Sequence, residues 1–164
     1  MYSRGSTKKI KHKELKGKKK MTTKQIWFDM DGTIADLYGV NGWLDDIINE
    51  RADAYENARP LINLQVLARL LNRLLRQGYE IGIVSWTAKN SSKEYEEIVK
   101  KAKINWLSKH LASVHFSHID IIPYGTPKHI GRSGVLFDDE ENNRTSWNGT
   151  AYDVDNILNV LRAM

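Results

Sequence analysis

The sequence contains no cysteine, which removes disulfides and thiolate metal sites and suits a reducing compartment. It also has no run of 18 apolar residues, and its first residues lack the apolar stretch of a secretory signal. A soluble cytoplasmic protein with no membrane partner is the expectation. A chain of 164 residues has room for one ordinary domain with a real core and not for two.

Acidic side chains are scarce in one place only. Residues 1–20, MYSRGSTKKIKHKELKGKKK, hold nine Lys or Arg against one Glu, whereas the remaining 144 hold 16 basic and 19 acidic side chains. The formal net charge of +5 therefore belongs to the N-terminal segment. Residues 1–22 are expected to form a disordered basic tail, because they offer little apolar surface to offset the entropy of ordering. The lysines of residues 8–20 would contact nucleic acid or another polyanion without regard to its sequence. The same stretch also reads as a solubilising extension, or as a leader ahead of a start at Met21. The domain itself is expected over residues 23–164.

From Lys24 onward, short apolar runs alternate with helical segments, the pattern of an α/β protein with a parallel sheet. Strands are expected at QIWF, at YEIGIVSW, at SVHF extending toward IDII, and at GVLF. A polar, acidic helix is expected over residues 43–57. From Pro60, Leu67, Leu70, Leu71, Leu74 and Leu75 recur at helical spacing, with Gly78 just past the end. SSKE at Ser91–Glu94 is a capping box opening a helix through about residue 107. DVDNILNVLRAM reads as an amphipathic terminal helix.

Three strand candidates end in polar groups: Asp29 and Asp31, then Ser85, then Asp138 and Asp139. The carboxyl ends of the strands in an open parallel sheet share one edge, where ligands bind, so these residues are expected to converge. Four carboxyls with an ordinary pKa near 3.9 are ionised at neutral pH. Each like-charge pair at about 4 Å costs on the order of 4 kcal/mol at an effective dielectric near 20. Such a cluster calls for a cation, or for a protonated carboxyl. With oxygen donors alone, Mg²⁺ is the favoured ion.

Two plainer readings compete. A calcium loop needs Gly at its sixth position and Glu at its twelfth; DMDGTIADLYGV carries Ile34 and Val40 there, so that reading fails. A simple acidic turn around Gly32 leaves Asp138 and Asp139 without a role. The histidines at 110, 115, 118 and 129 follow no zinc spacing and read as scattered surface positions.

DMDGT after an apolar strand resembles the signature of the haloacid-dehalogenase-like phosphatases, and the likeness runs from about residue 25 to the C-terminus. The resemblance implies a three-layer Rossmann-like parallel sheet with helices on both faces and a magnesium-dependent phosphomonoesterase. It makes Asp29 the nucleophile, Asp31 the general acid/base, Ser85 the hydroxyl holding the transferring phosphoryl group, and Lys128 the neutralising ammonium. Lys89 and Lys93 compete for that last role, since both also follow a strand end. Asp29, Asp31 and Asp138 are the expected metal ligands, with Asp139 and Asn143 in support. Thr33, Trp86, Thr87 and Lys89 are expected at the substrate.

Only 53 residues separate Asp31 from Ser85, so the cap expected around residues 38–59 is minimal. Tyr38, Trp43, Tyr55 and Trp86 offer faces on which a base can stack. The compact layout looks most like the 5′-nucleotidase type, including small virus-encoded relatives, which would put the protein in a host's cytoplasm. A phosphorylated small molecule, a nucleotide above all, is the expected substrate. A phosphatase acting on nucleic-acid ends through the basic tail, and a silent phosphate- or nucleic-acid-binding module, are the alternatives. A signalling receiver is disfavoured, because no middle strand places an Asp at the sheet edge.

Overall fold

The computed structural model describes residues 24–164, and the expected basic tail lies outside the described residues. In chain order the elements are β1 (Lys24–Phe28), β2 (Ala35–Asp36), α1 (Trp43–Ile48), α2 (Asp53–Asn57), β3 (Arg59–Pro60), α3 (Leu64–Arg76), β4 (Tyr79–Trp86), α4 (Lys93–His110), β5 (His118–Ile122), β6 (Gly134–Phe137), α5 (Glu141–Ser146), β7 (Gly149–Tyr152), a 3₁₀ turn (Val154–Asn156) and α6 (Ile157–Ala163).

Five strands form one parallel sheet in the order β5-β4-β1-β6-β7. The chain builds outward from β1 through β4 to β5, then returns to the other side of β1 for β6 and β7. That reversal puts a topological switch point between β1 and β6, the place where α/β sheets open a crevice. Phe28 is level with Ile83 of β4 and with Phe137 of β6. The residues that follow, Asp29 and Asp138, therefore emerge side by side, with Ser85 next to them on β4.

The alternation of side chains along the strands divides the core. Ile26, Phe28, Ile81, Ile83, Ile121 and Phe137 face one way and pack beneath Leu67, Leu71 and Leu74 of α3, Trp106 and Leu107 of α4, and Ile157 and Leu161 of α6. Trp27, Val84 and Leu136 face the other way, where Trp147 at the end of α5 packs on them. Gly82, paired with Trp27, has no Cβ, and one built there would collide with the indole ring. The architecture is the expected Rossmann-like α/β sheet, with its helices shared unevenly between the two faces.

Several local expectations change. Pro60 does not open a helix: it sits in β3, paired antiparallel to β2, and α3 starts four residues later behind Asn63. The Asn63 carboxamide accepts from the backbone N–H of Gln65 and Val66, a stronger start than proline alone. The acidic helix expected over 43–57 is broken into α1 and α2 by a turn in which Glu50 has φ 53°. The third strand is HIDII, not SVHF, which forms the approach to it. In the α4 capping box the cap is Ser92, whose hydroxyl accepts from Tyr95 N–H; Ser91 instead donates to the Ala88 carbonyl. The helix runs three residues beyond 107, to His110. The polar stretch after Asp139 forms α5 and then β7, neither of which the apolar pattern announced.

Candidate active site

The turn after β1 sets two carboxylates above the sheet. Backbone N–H groups of Thr33, Ile34 and Ala35 all point at the Met30 carbonyl, folding residues 30–35 into a tight loop. Met30 and Ile34 are driven into the core, so Asp29 and Asp31, which flank Met30, are left at the rim. Gly32 has φ +75°, and a Cβ there would strike the Asp139 carboxylate. That position needs glycine twice over, for its left-handed backbone and for the close approach.

Asp29 is 6% exposed and faces Lys128, whose Nζ lies 3.0 Å from Asp29 Oδ1 and 2.7 Å from Asp138 Oδ2. Burial pushes the Asp29 carboxyl up, but the Lys128 and Lys103 ammoniums, with hydrogen bonds from Lys128 and Ser85, outweigh it and hold the group below the usual carboxylate range. Burial likewise works against the Lys128 ammonium, and the Asp29 and Asp138 charges more than restore it. The pair is thus an ionised carboxylate against a fixed cation. Of the lysines that competed for this position, Lys89 lies over the Tyr124 ring and Lys93 is exposed at the start of α4.

Carboxylate oxygens of Asp29, Asp138 and Asp139 lie within 4.8 Å of one another. Asp138 is fully buried, and burial followed by the Asp29 charge raises its carboxyl. Burial and the charges of Asp29 and Asp138 push Asp139 up to about 7. Three converging carboxyls, one of them held this far from its ordinary ionisation, suit a hard divalent cation with oxygen ligands. The donor set therefore fits a metal.

Two other residues expected around the metal, Asp31 as a ligand and Asn143 in support, are held by side-chain partners. The Asp31 side chain turns to the buried Lys103 ammonium, 2.6 Å from its Oδ2, and stands outside the three-acid group. Asn143 presents its amide nitrogen to both Asp138 oxygens, at 3.2 and 3.3 Å, and so orients that carboxylate. Asp138 also accepts from Glu140 N–H, and Arg144 clamps the Asp138 and Asp139 carbonyls. Thr33, expected at the substrate, is tied to Asp139: its hydroxyl donates to Oδ1 and accepts from the backbone N–H.

Sequence reasoning missed Lys103. It lies on α4, is 1% exposed, and its Nζ donates to Asp31 Oδ2 at 2.6 Å, Ser85 Oγ at 2.9 Å and the Trp86 carbonyl at 2.6 Å. The signal was its position: Tyr95, Val99, Lys103 and Leu107 recur every fourth residue on the buried face of the helix. A lysine in an apolar stripe must find a partner, because an unpaired buried charge is prohibitively costly. Burial also raises the Asp31 carboxyl, opposed by Lys103 and reinforced by Asp29. Arg144 gave no comparable signal, since it sits in a polar run.

The acids open into a cleft of about 290 Å³ whose walls include Tyr38, Trp43, Tyr55, Trp86 and Tyr124. Trp86 and Tyr124 lean together, ring centres 5.0 Å apart, and the Trp86 indole donates to the Thr126 carbonyl. Tyr38 and Trp43 meet edge to face at 5.1 Å on the side of the insertion. Thr87 also lines the cleft, with a buried hydroxyl that has no partner among the described residues. The insertion is pinned to α4: Leu37, Ala54 and Tyr55 pack on Tyr95, Val99 and Ala102. Tyr95 Oη donates to the Arg51 carbonyl, and Glu50 accepts from Ser92. No helix among the described residues is long and apolar enough to cross a membrane.

No protein-family model matches the sequence, and no curated protein sequence matches it. Among solved structures, the chain is similar to a D,D-heptose 1,7-bisphosphate phosphatase from Burkholderia thailandensis, at 11% identity and a TM-score of 0.52, over 87% of this chain and 100% of that one. The likeness is one of fold alone: a parallel α/β sheet with its switch point beside β1.

Proposed function

We propose that this chain is a metal-dependent phosphomonoester hydrolase that works through an aspartyl-phosphate. The observation that carries the reading is the Asp29 carboxylate, buried at the switch point of the sheet with the Lys128 ammonium 3.0 Å away. An Asp29 oxygen forms a bond to phosphorus as the ester P–O bond breaks, and Asp31 gives its proton to the departing oxygen. Asp31, now a carboxylate, takes a proton from water as the water oxygen bonds to phosphorus and the Asp29–phosphorus bond breaks. Lys128 and the Ser85 hydroxyl bind the phosphoryl oxygens while negative charge is redistributed over them. Asp29, Asp138 and Asp139 would hold Mg²⁺, which when bound supplies further charge neutralisation at the phosphoryl group.

The substrate we infer is a nucleotide. An aromatic-walled cleft next to the acids supports a planar leaving group, stacked near Trp86 with Lys89 at hand. The solved structure of similar fold is named for a sugar bisphosphate, so sugar phosphates belong in the same comparison. A nucleic-acid end is the second reading, supported by the small size of α1 and α2 over the cleft and by the charge of residues 1–20. A silent phosphate-binding module would have no use for both Asp29 and Asp31.

The test is turnover of nucleoside monophosphates, sugar phosphates and 3′- or 5′-phosphorylated oligonucleotides, with Mg²⁺ and with chelator, beside Asp29→Asn. We expect Mg²⁺-dependent phosphate release that the variant loses by about 10⁴-fold or more, as for removal of a covalent nucleophile. Undiminished turnover in the variant refutes the nucleophile. A wild type inert toward every ester favours the binding module.

A further inference from the structure

An ammonium carries three protons, and Lys103 spends all three inside the protein, on Asp31 Oδ2, Ser85 Oγ and the Trp86 carbonyl. With 1% of its surface exposed, it has no donor left for a substrate and no route to one. Its Nζ also lies 5.3 Å from the centre of the Tyr55 ring, which closes the remaining side with the face of an aromatic. Lys128 already neutralises Asp29 and Asp138. The second buried lysine therefore needs a separate reason to be there.

Its contacts supply one. Nζ can only donate, so the Asp31 oxygen it touches, Oδ2, is occupied as an acceptor; Asp31 lines the cleft, and Oδ1 is the oxygen that Lys103 leaves to it. The same ammonium takes a lone pair of Ser85 Oγ, which turns the hydroxyl proton away from Lys103, and Ser85 lines the cleft together with Asp29. A phosphoryl group arriving at Asp29 would meet that proton. The Trp86 carbonyl anchors the ammonium to β4, so helix α4 and the sheet edge are joined at one point.

We propose, resting on the phosphatase reading above, that Lys103 is a positioning residue: it fixes Asp31 so that proton transfer to the leaving group runs through Oδ1, and it aims the Ser85 hydroxyl at the phosphoryl oxygens. The ester oxygen leaves with the Asp31 Oδ1 proton as the Asp29–phosphorus bond forms, and Lys103 keeps its own three protons throughout.

The role predicts a dependence on the leaving group. Phenyl phosphate and 4-nitrophenyl phosphate have almost the same shape, but phenoxide needs a proton as it departs and 4-nitrophenoxide does not. Phenol release in the first turnover, measured by rapid quench with saturating ester and Mg²⁺, isolates the step that Asp31 assists. In Lys103→Met we expect the phenyl ester to slow by about 10²-fold or more while the nitrophenyl ester slows by less than about tenfold, with KM unchanged for both, as for loss of a general acid. Asp31→Asn should reproduce that pattern. In the ratio of phenyl to nitrophenyl rates, where any loss through Ser85 cancels, the double variant should match Asp31→Asn, because two residues acting through one proton do not add.

Equal losses on the two esters, or single-variant effects on the ester ratio that multiply in the double variant, overturn the proposal and leave Lys103 as scaffolding. Lys103→Gln, which keeps donors without the charge, is read by the same ratio if circular dichroism shows Lys103→Met unfolded. A wild type inert toward both esters and toward the nucleotide and sugar phosphate panel refutes the phosphatase reading itself. An active wild type with equal losses refutes only the part given to Lys103.

Discussion

Replacing Asp139 by Asn should stabilise the metal-free protein at about pH 8, against the usual direction for a substitution at a polar site. Burial, then the charges of Asp29 and Asp138, push the Asp139 carboxyl from 3.8 to about 7. Unfolded, the group ionises as an ordinary carboxyl. Between about pH 4 and 7 the folded chain therefore holds a proton that the unfolded chain has lost, so stability falls as pH rises through that window, and the whole penalty is present above it. The interval from 3.8 to about 7 corresponds, at 1.36 kcal/mol per pH unit, to about 4 kcal/mol for an enclosed group. Asp139 keeps some contact with water, and screening reduces this to about 2 kcal/mol. For a domain of this size each kcal/mol moves Tm by about 2–4 °C, so the variant should melt about 4–8 °C higher in chelator at about pH 8. At about pH 4 the difference should vanish. The assay is thermal unfolding across that range with and without Mg²⁺; bound cation should erase or reverse the advantage, since it neutralises the carboxylate in place. An Asp139→Asn variant no more stable than wild type at about pH 8, or a gap between the two that does not change with pH, refutes the electrostatic account of the cluster.

Two further substitutions probe the remaining parts. Lys128→Met leaves Asp29 and Asp138 facing each other without a counter-charge and should cost about 3–5 kcal/mol in urea unfolding with chelator present, the toll of breaking a buried pair from one side; a loss under about 1 kcal/mol would mean the acids do not depend on it. Trp86→Ala should raise KM for a nucleoside monophosphate by about tenfold, in line with the 1–3 kcal/mol of a stacked base, while leaving 4-nitrophenyl phosphate turnover within about threefold. Equal effects on both substrates would assign Trp86 to the core.

How far the site could be read from the sequence follows from what kind of physics placed each residue. Asp29, Ser85 and Asp138 were legible because strand periodicity is local and the ends of parallel strands must share an edge; β1, β4 and β6 put them side by side as adjacent strands do. The destination of an individual carboxylate is not local. Asp31 stands three residues past the end of β1 and Asp139 two past the end of β6, yet one turns to a lysine 72 positions away and the other into the acid cluster. What separates them is a choice among partners, settled by which cation is already buried within reach. The two-residue strands β2 and β3 escaped notice for a related reason: pairing Ala35 with Pro60 leaves no periodic trace, although it closes the loop that carries Asp31. Lys103 is the instructive residue, because its signal was present and pointed the right way. An ionisable side chain in line with Tyr95, Val99 and Leu107 is forced into the core by its neighbours, and a charge so placed requires a counter-charge from elsewhere in the chain. The only open question such a pattern leaves is which acid answers it, and in a chain whose strand ends carry unpaired aspartates that acid is to be sought at the sheet edge.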